Sequence, residues 1–147
     1  MRYVVFAVSL LLSHVCCAAT TYIQFTAPDG KVAAVRISAI QMVVRAEGRL
    51  EISTASQLIR AKVNPDFLGL ASDLDITSAA YYALLRLMEG DVGMADKEKI
   101  SDWIAIVRDK AKMSAVRLDA AMQLIVHRPE IQIDCIQLEI ERLPEKG

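Results

Sequence analysis

The chain has 147 residues, 54% of them apolar, 24% charged and 5% aromatic, with a formal charge of −1 at neutral pH. A near-balanced charge excludes the broad basic surface that a nucleic-acid binder or a protein held on an anionic membrane needs. The apolar content excludes a disordered chain, and the length fits one ordinary domain.

Residues 1–19 have the layout of a secretory signal peptide. Met1-Arg2-Tyr3 is a short start with one basic residue. Val4 to Val15 is an apolar run broken by Ser9, Ser13 and His14, and Cys16-Cys17-Ala18-Ala19 is a small-residue exit. As a helix this run extends about 18 Å, well short of a hydrocarbon core of about 30 Å. Cleavage after Ala18 or Ala19 is therefore expected, in preference to a retained anchor or a buried strand over Tyr3–Val8. Val15 and Cys16, which precede the two leader cysteines, do not suit a lipidation motif. Removal of the leader takes Arg2 and no acid, so the remaining domain, residues 20–147, is slightly more acidic than the whole chain.

Residues 20–63 read as mostly β, an antiparallel meander. Tyr22 to Thr26 alternates with Ile23 and Phe25 on one face, and Ala27-Pro28-Asp29-Gly30 is a turn in which Pro presets φ and Gly takes a positive φ. Lys31 to Ile37 forms a second strand with Val35 and Ile37 on one face. Ile40 to Arg45 forms a third with Ile40, Met42 and Val44 inward. Ala46-Glu47-Gly48 turns the chain into a fourth strand, Arg49 to Ser53, and Gln57 to Val63 returns with Ile59, Ala61 and Val63 inward. A small sheet of this kind needs a cover on its apolar face.

Residues 64–128 read as mostly α. Asn64-Pro65-Asp66 has the chemistry of a helix start, predicting a short helix to about Leu74 that buries Phe67, Leu68 and Leu74. Asp75 caps a second helix, Ser78 to Glu89, with Ala80, Leu84, Leu87 and Met88 on its stripe and Gly90 at its end. Asp96 caps a third, on which Ile100, Trp103, Ile104, Val107 and Ala111 share a face and Trp103 is a core residue. The stripe resumes at Leu118, Ala121, Met122 and Ile125 beyond a break near Ser114, and Arg128-Pro129 stops it. In residues 130–143, Ile131, Ile133 and Cys135 alternate out of phase with Ile136, Leu138 and Ile140. A strand with a bulge at Cys135–Ile136 reconciles the two sets and adds an edge to the sheet; a helix would need burial on both sides. The fold class is therefore α+β: an N-terminal antiparallel meander packed against three or four helices, with an Ile-rich C-terminal strand, after a signal peptide.

The parts for common chemistries are missing from the pattern. Once the leader is removed, His127 and Cys135 are the sole histidine and cysteine, too few for the usual zinc sets. His127, at a helix end, reads as a surface residue favoured by the helix dipole. Cys135, among isoleucines, reads as a small buried residue, with an intermolecular disulfide as the rival. Asp73-Leu74-Asp75 and Glu89-Gly90-Asp91 read as acidic capping loops, without the oxygen ladder of a calcium loop. No glycine-rich phosphate cradle and no Gly-x-Ser-x-Gly elbow is present. Tyr82, off the main stripe of its helix, is the candidate binding residue. The expected function is an exported, non-catalytic binding or accessory protein, inhibitor- or immunity-like, whose partner is another protein. No catalytic residue, cofactor, metal or nucleic acid is expected. Two alternatives stand beside it: a small secreted hydrolase with a dispersed carboxylate site, and a membrane-anchored subunit of a complex if the leader is retained.

Overall fold

The computed structural model describes residues 22–70, 73–90, 92–128 and 130–144; the leader expected over residues 1–19 lies outside them. Among the described residues the fold is α+β, a six-stranded mixed sheet with three helices.

β1 (Tyr22–Thr26) and β2 (Val32–Arg36) form a hairpin, Ile23 opposite Val35 and Phe25 opposite Ala33, all four buried. The turn between them closes with Ala27 N–H donating to Lys31 O at 2.9 Å, and Gly30 adopts φ +90° as expected. The chain then leaves the hairpin through a 3-10 turn, Ile37–Ala39. β3 (Met42–Ala46), β4 (Arg49–Ser53) and β5 (Gln57–Val63) form an antiparallel meander. The β3–β4 loop is the two-residue turn Glu47-Gly48, both at positive φ, which matches the twist of the flanking strands.

Three expectations about the sheet need correction. The meander is not continuous: the strand order is β2-β1-β6-β5-β4-β3, so β2 and β3 lie at opposite edges. β6 (Ile131–Arg142) is not an edge but the centre, parallel to β1 over its first third and antiparallel to β5 over the rest. Length allows this, because twelve residues can serve two neighbours in succession. The inward face of β3 is also reversed. Val43 is buried, while Met42 and Val44 are 55% and 37% exposed. Val43 pairs with the buried Ile52, and directly opposed residues share a face. Ile40 is buried too, but it belongs to the turn and does not set the strand's phase.

The expected bulge is present in β6. Val63 pairs with Cys135 and Lys62 with Gln137, which leaves Ile136 over. Cys135 and Leu138 are both buried, and Ile136 is carried outward to 47% exposure. Ile131, Ile133, Cys135 and Leu138 thus reach one core despite their mismatched spacing.

In place of the helix expected over 64–74, the described residues 64–70 form successive turns. Phe67 N–H donates to Asn64 O and Gly69 N–H to Asp66 O, and Gly69 at φ +69° stops the coil before a second helical turn forms. Phe67 and Leu74 are nevertheless buried. α1 (Ile76–Glu89) begins at Asp75, whose carboxylate accepts from Ser78 N–H at 3.1 Å, and ends at Gly90. Its alanines 79, 80 and 83 are fully buried, which lets the helix lie close on β3, β4 and β5. α2 (Lys97–Arg108) begins at Asp96, which accepts from Lys99 N–H at 2.9 Å. α3 (Ser114–Val126) packs on α1 and carries α2 on its other side. Because α2 packs on α3 and not on the sheet, Val107 is its single buried residue, and Trp103 is half-buried where a core position was expected.

Candidate binding groove between two helices

Tyr82 lies on α1 and is 43% exposed. It meets Tyr81 edge to face, with ring centroids 5.2 Å apart. Arg45 of β3 holds the pair from the sheet side. Its guanidinium lies 5.3 Å from the Tyr81 centroid and 5.6 Å from that of Tyr82, within cation–π range. The same guanidinium donates to Ser78 Oγ, which donates in turn to Asp75 Oδ2 at 2.6 Å. The helix cap, the strand and the two rings therefore form one connected unit, which limits the conformations open to Tyr82.

From Tyr82 a groove of about 370 Å³ runs between α1 and α3. One wall is Tyr82, Leu85, Arg86 and Glu89, and the other is Ala115, Leu118, Asp119 and Met122. Both sets fall at i, i+3, i+4 and i+7, one continuous stripe on each helix. Apolar side chains dominate the lining. The charged members are Arg86 and Glu89, 3.7 Å apart along α1, and Asp119, which has no ion-pair partner within 4 Å among the described residues. Tyr82 is the one groove residue singled out from sequence. The sequence periodicity places Leu118 and Met122 on the core face of their helix, together with Ala121 and Ile125. The structure buries Ala121 and Ile125 and leaves Leu118 and Met122 half-covered beside the groove.

The remaining candidates fall elsewhere. His127 follows α3 and stacks on Trp103, centroids 5.2 Å apart and planes 20° from parallel. Burial, then the positive charges of Lys99 and Arg86, hold its pKa below the usual value. That is a more enclosed setting than the surface position expected. Cys135 is buried and its Sγ–H donates to Ile133 O at 3.6 Å; burial, reinforced by the Asp134 charge, pushes the thiol up to about 12. Such a thiol is neither a nucleophile nor a ready disulfide partner at neutral pH. Asp73 forms a two-point ion pair with Arg117, Nη1 to Oδ2 at 3.0 Å and Nη2 to Oδ1 at 3.2 Å, which holds its carboxyl below the usual carboxylate range. A carboxyl that donates a proton at neutral pH must be shifted the other way. Among the described residues, no three His, Cys, Asp or Glu side chains come together as a metal site requires.

Comparison with protein-family models, with curated proteins and with solved structures finds no match to the chain.

Proposed function

We propose that this chain is a small, non-catalytic binding protein, exported through its leader, whose groove between α1 and α3 receives an amphipathic helix of a partner protein. The carrying observation is the matched pair of stripes at i, i+3, i+4 and i+7 on two neighbouring helices. Helix-in-groove recognition uses this arrangement, apolar anchors at helical spacing laid into an apolar channel. Tyr82 supplies the kind of amphipathic, low-entropy anchor that interfaces favour, and Arg45 orders it before a partner arrives. Asp119 offers its charge to a basic residue on the incoming helix. An inhibitor- or immunity-like accessory role needs no more chemistry than this.

A photo-crosslinking residue at position 82, expressed in the native host, tests the reading. A covalent adduct with a partner from outside the cytoplasm is expected, lost on Leu118→Asp in the groove and retained on Met42→Asp on the solvent-exposed face of β3. An adduct that survives Leu118→Asp, or none at all, rejects the groove as the binding site. N-terminal sequencing of the same material separates the two leader readings. A terminus near Thr20 supports export, whereas Met1 retained on the exported protein favours the anchored subunit.

A further inference from the structure

A second cavity, of about 230 Å³, lies on the opposite side of α3 from the groove. Its wall is aliphatic: Leu68 and Leu70 from the turns after β5, Ile100 and Ile104 from α2, and Leu124 from α3. His127 and Arg128, adjacent at the end of α3, supply the polar part of the lining. Arg128 is half-buried, sits over the Phe67 ring at 5.5 Å, and spends one N–H on Gln132 O at a long 3.4 Å. Among the described residues no carboxylate lies within ion-pairing distance of it. Lys99 adds positive charge near His127. The site therefore combines an apolar chamber with a cation whose hydrogen-bonding capacity is mostly unused.

We infer that this cavity binds a small aliphatic monocarboxylate, its chain among Ile100, Ile104 and Leu124 and its carboxylate on the Arg128 guanidinium. Charge complementarity selects the headgroup, since a planar guanidinium pairs with a carboxylate through two parallel hydrogen bonds. Volume selects the tail. At ~30 Å³ per water-sized group the chamber has room for roughly eight such groups, which fits a single short chain and not a two-chain lipid. The ligand is accordingly a free fatty-acid-like molecule, not a membrane surface.

Trp103, the sole tryptophan of the chain, stacks on His127 and so reports on the cavity. Titration with octanoate is expected to change Trp103 fluorescence saturably at concentrations below micelle formation. Octylammonium and octanol, which share the tail, should bind at least ~10-fold more weakly, in line with the loss of a charge-assisted hydrogen bond. Arg128→Gln should weaken octanoate by a similar factor with the far-UV circular dichroism unchanged, and Arg128→Lys should recover part of it. Should Arg128→Gln not fold, the octanoate-to-octanol ratio of the unaltered protein carries the test alone. Equal binding of octanoate and octanol overturns the assignment, as does no saturable change with octanoate. Binding to phosphatidylglycerol vesicles without binding to free octanoate overturns it in favour of a lipid surface.

Discussion

Arg117 ties together two parts of the helical layer. Its side chain is buried on α3, where Nε and Nη2 donate to Val107 O at 2.9 and 2.7 Å, while Nη1 and Nη2 grip the Asp73 carboxylate. One guanidinium thus satisfies a carbonyl near the end of α2 and ties it to the segment leading into α1. Arg117→Met should lower the urea midpoint by more than the cap substitution Asp96→Ala, because it leaves the Val107 carbonyl without its donors and also breaks the pair with the half-exposed Asp73. Arg117→Lys should recover little, since an ammonium cannot reproduce the planar fork. The ion pair also gives stability a pH signature. The Asp73 carboxyl is held below its ordinary value, chiefly by its hydrogen bonds to Arg117. A depressed carboxyl contributes stability above its unfolded pKa, near ~3.9 for Asp, and loses it as pH falls through the lower folded value. The difference in midpoint between the parent and Asp73→Asn should therefore be constant from neutral pH down to about pH 5 and shrink below about pH 4. A gap that closes at neutral pH instead would mean that Asp73 acts through something other than this pair.

β6 shows how an element reconciles a sequence that looks inconsistent. Ile133 and Ile136 are the same residue type in the same strand, yet the bulge makes one core and the other surface. Ile133→Ala should cost ~2–5 kcal/mol as a cavity in a packed core, while Ile136→Thr should stay within ~0.5 kcal/mol of the parent, both read from urea unfolding. Similar losses at the two positions would contradict the bulge. This element was legible beforehand because period-two alternation slips visibly at Cys135–Ile136. The same local logic identified the caps at Asp75 and Asp96 and the glycines at positions 48 and 90. It failed where a local signal was ambiguous. Asn64-Pro65-Asp66 has the chemistry of a helix start, but the same Asn side chain also closes a turn, accepting from Asp66 N–H at 3.1 Å. In β3, Met42 and Val44 alternate as convincingly as Val43 and its neighbours, and only the pairing with Ile52 decides between them.

At the scale of the whole molecule, sequence distance sets what could be foreseen. β1 and β6 pair across more than a hundred residues, Ile23 beside Ile131, and no local pattern announces that a late strand will enter between β1 and β5. The groove was half visible for the same reason: Tyr82 stands off its own helix's core stripe, but its opposite wall exists only once α3 lies beside α1. The topology also divides the molecule's stability unevenly. The sheet and α1 share one continuous core, whereas α2 contributes Val107 to it and is otherwise held by half-buried contacts on α3 and by Arg117. An element with so few buried contacts opens by itself before the molecule unfolds. In native-state hydrogen exchange, α2 amides should therefore exchange faster than those of β5 and β6, with a rate that depends little on low urea, while the central strands follow global unfolding. Arg117→Met should speed α2 by a larger factor than β6, because the bond from Arg117 to Val107 O is specific to that helix. Ile100 and Ile104 on α2 also wall the second cavity, so saturating octanoate should slow α2 selectively and leave β6 nearly unchanged. If α2 and β6 instead exchange together at every urea concentration, α2 is no separate unit.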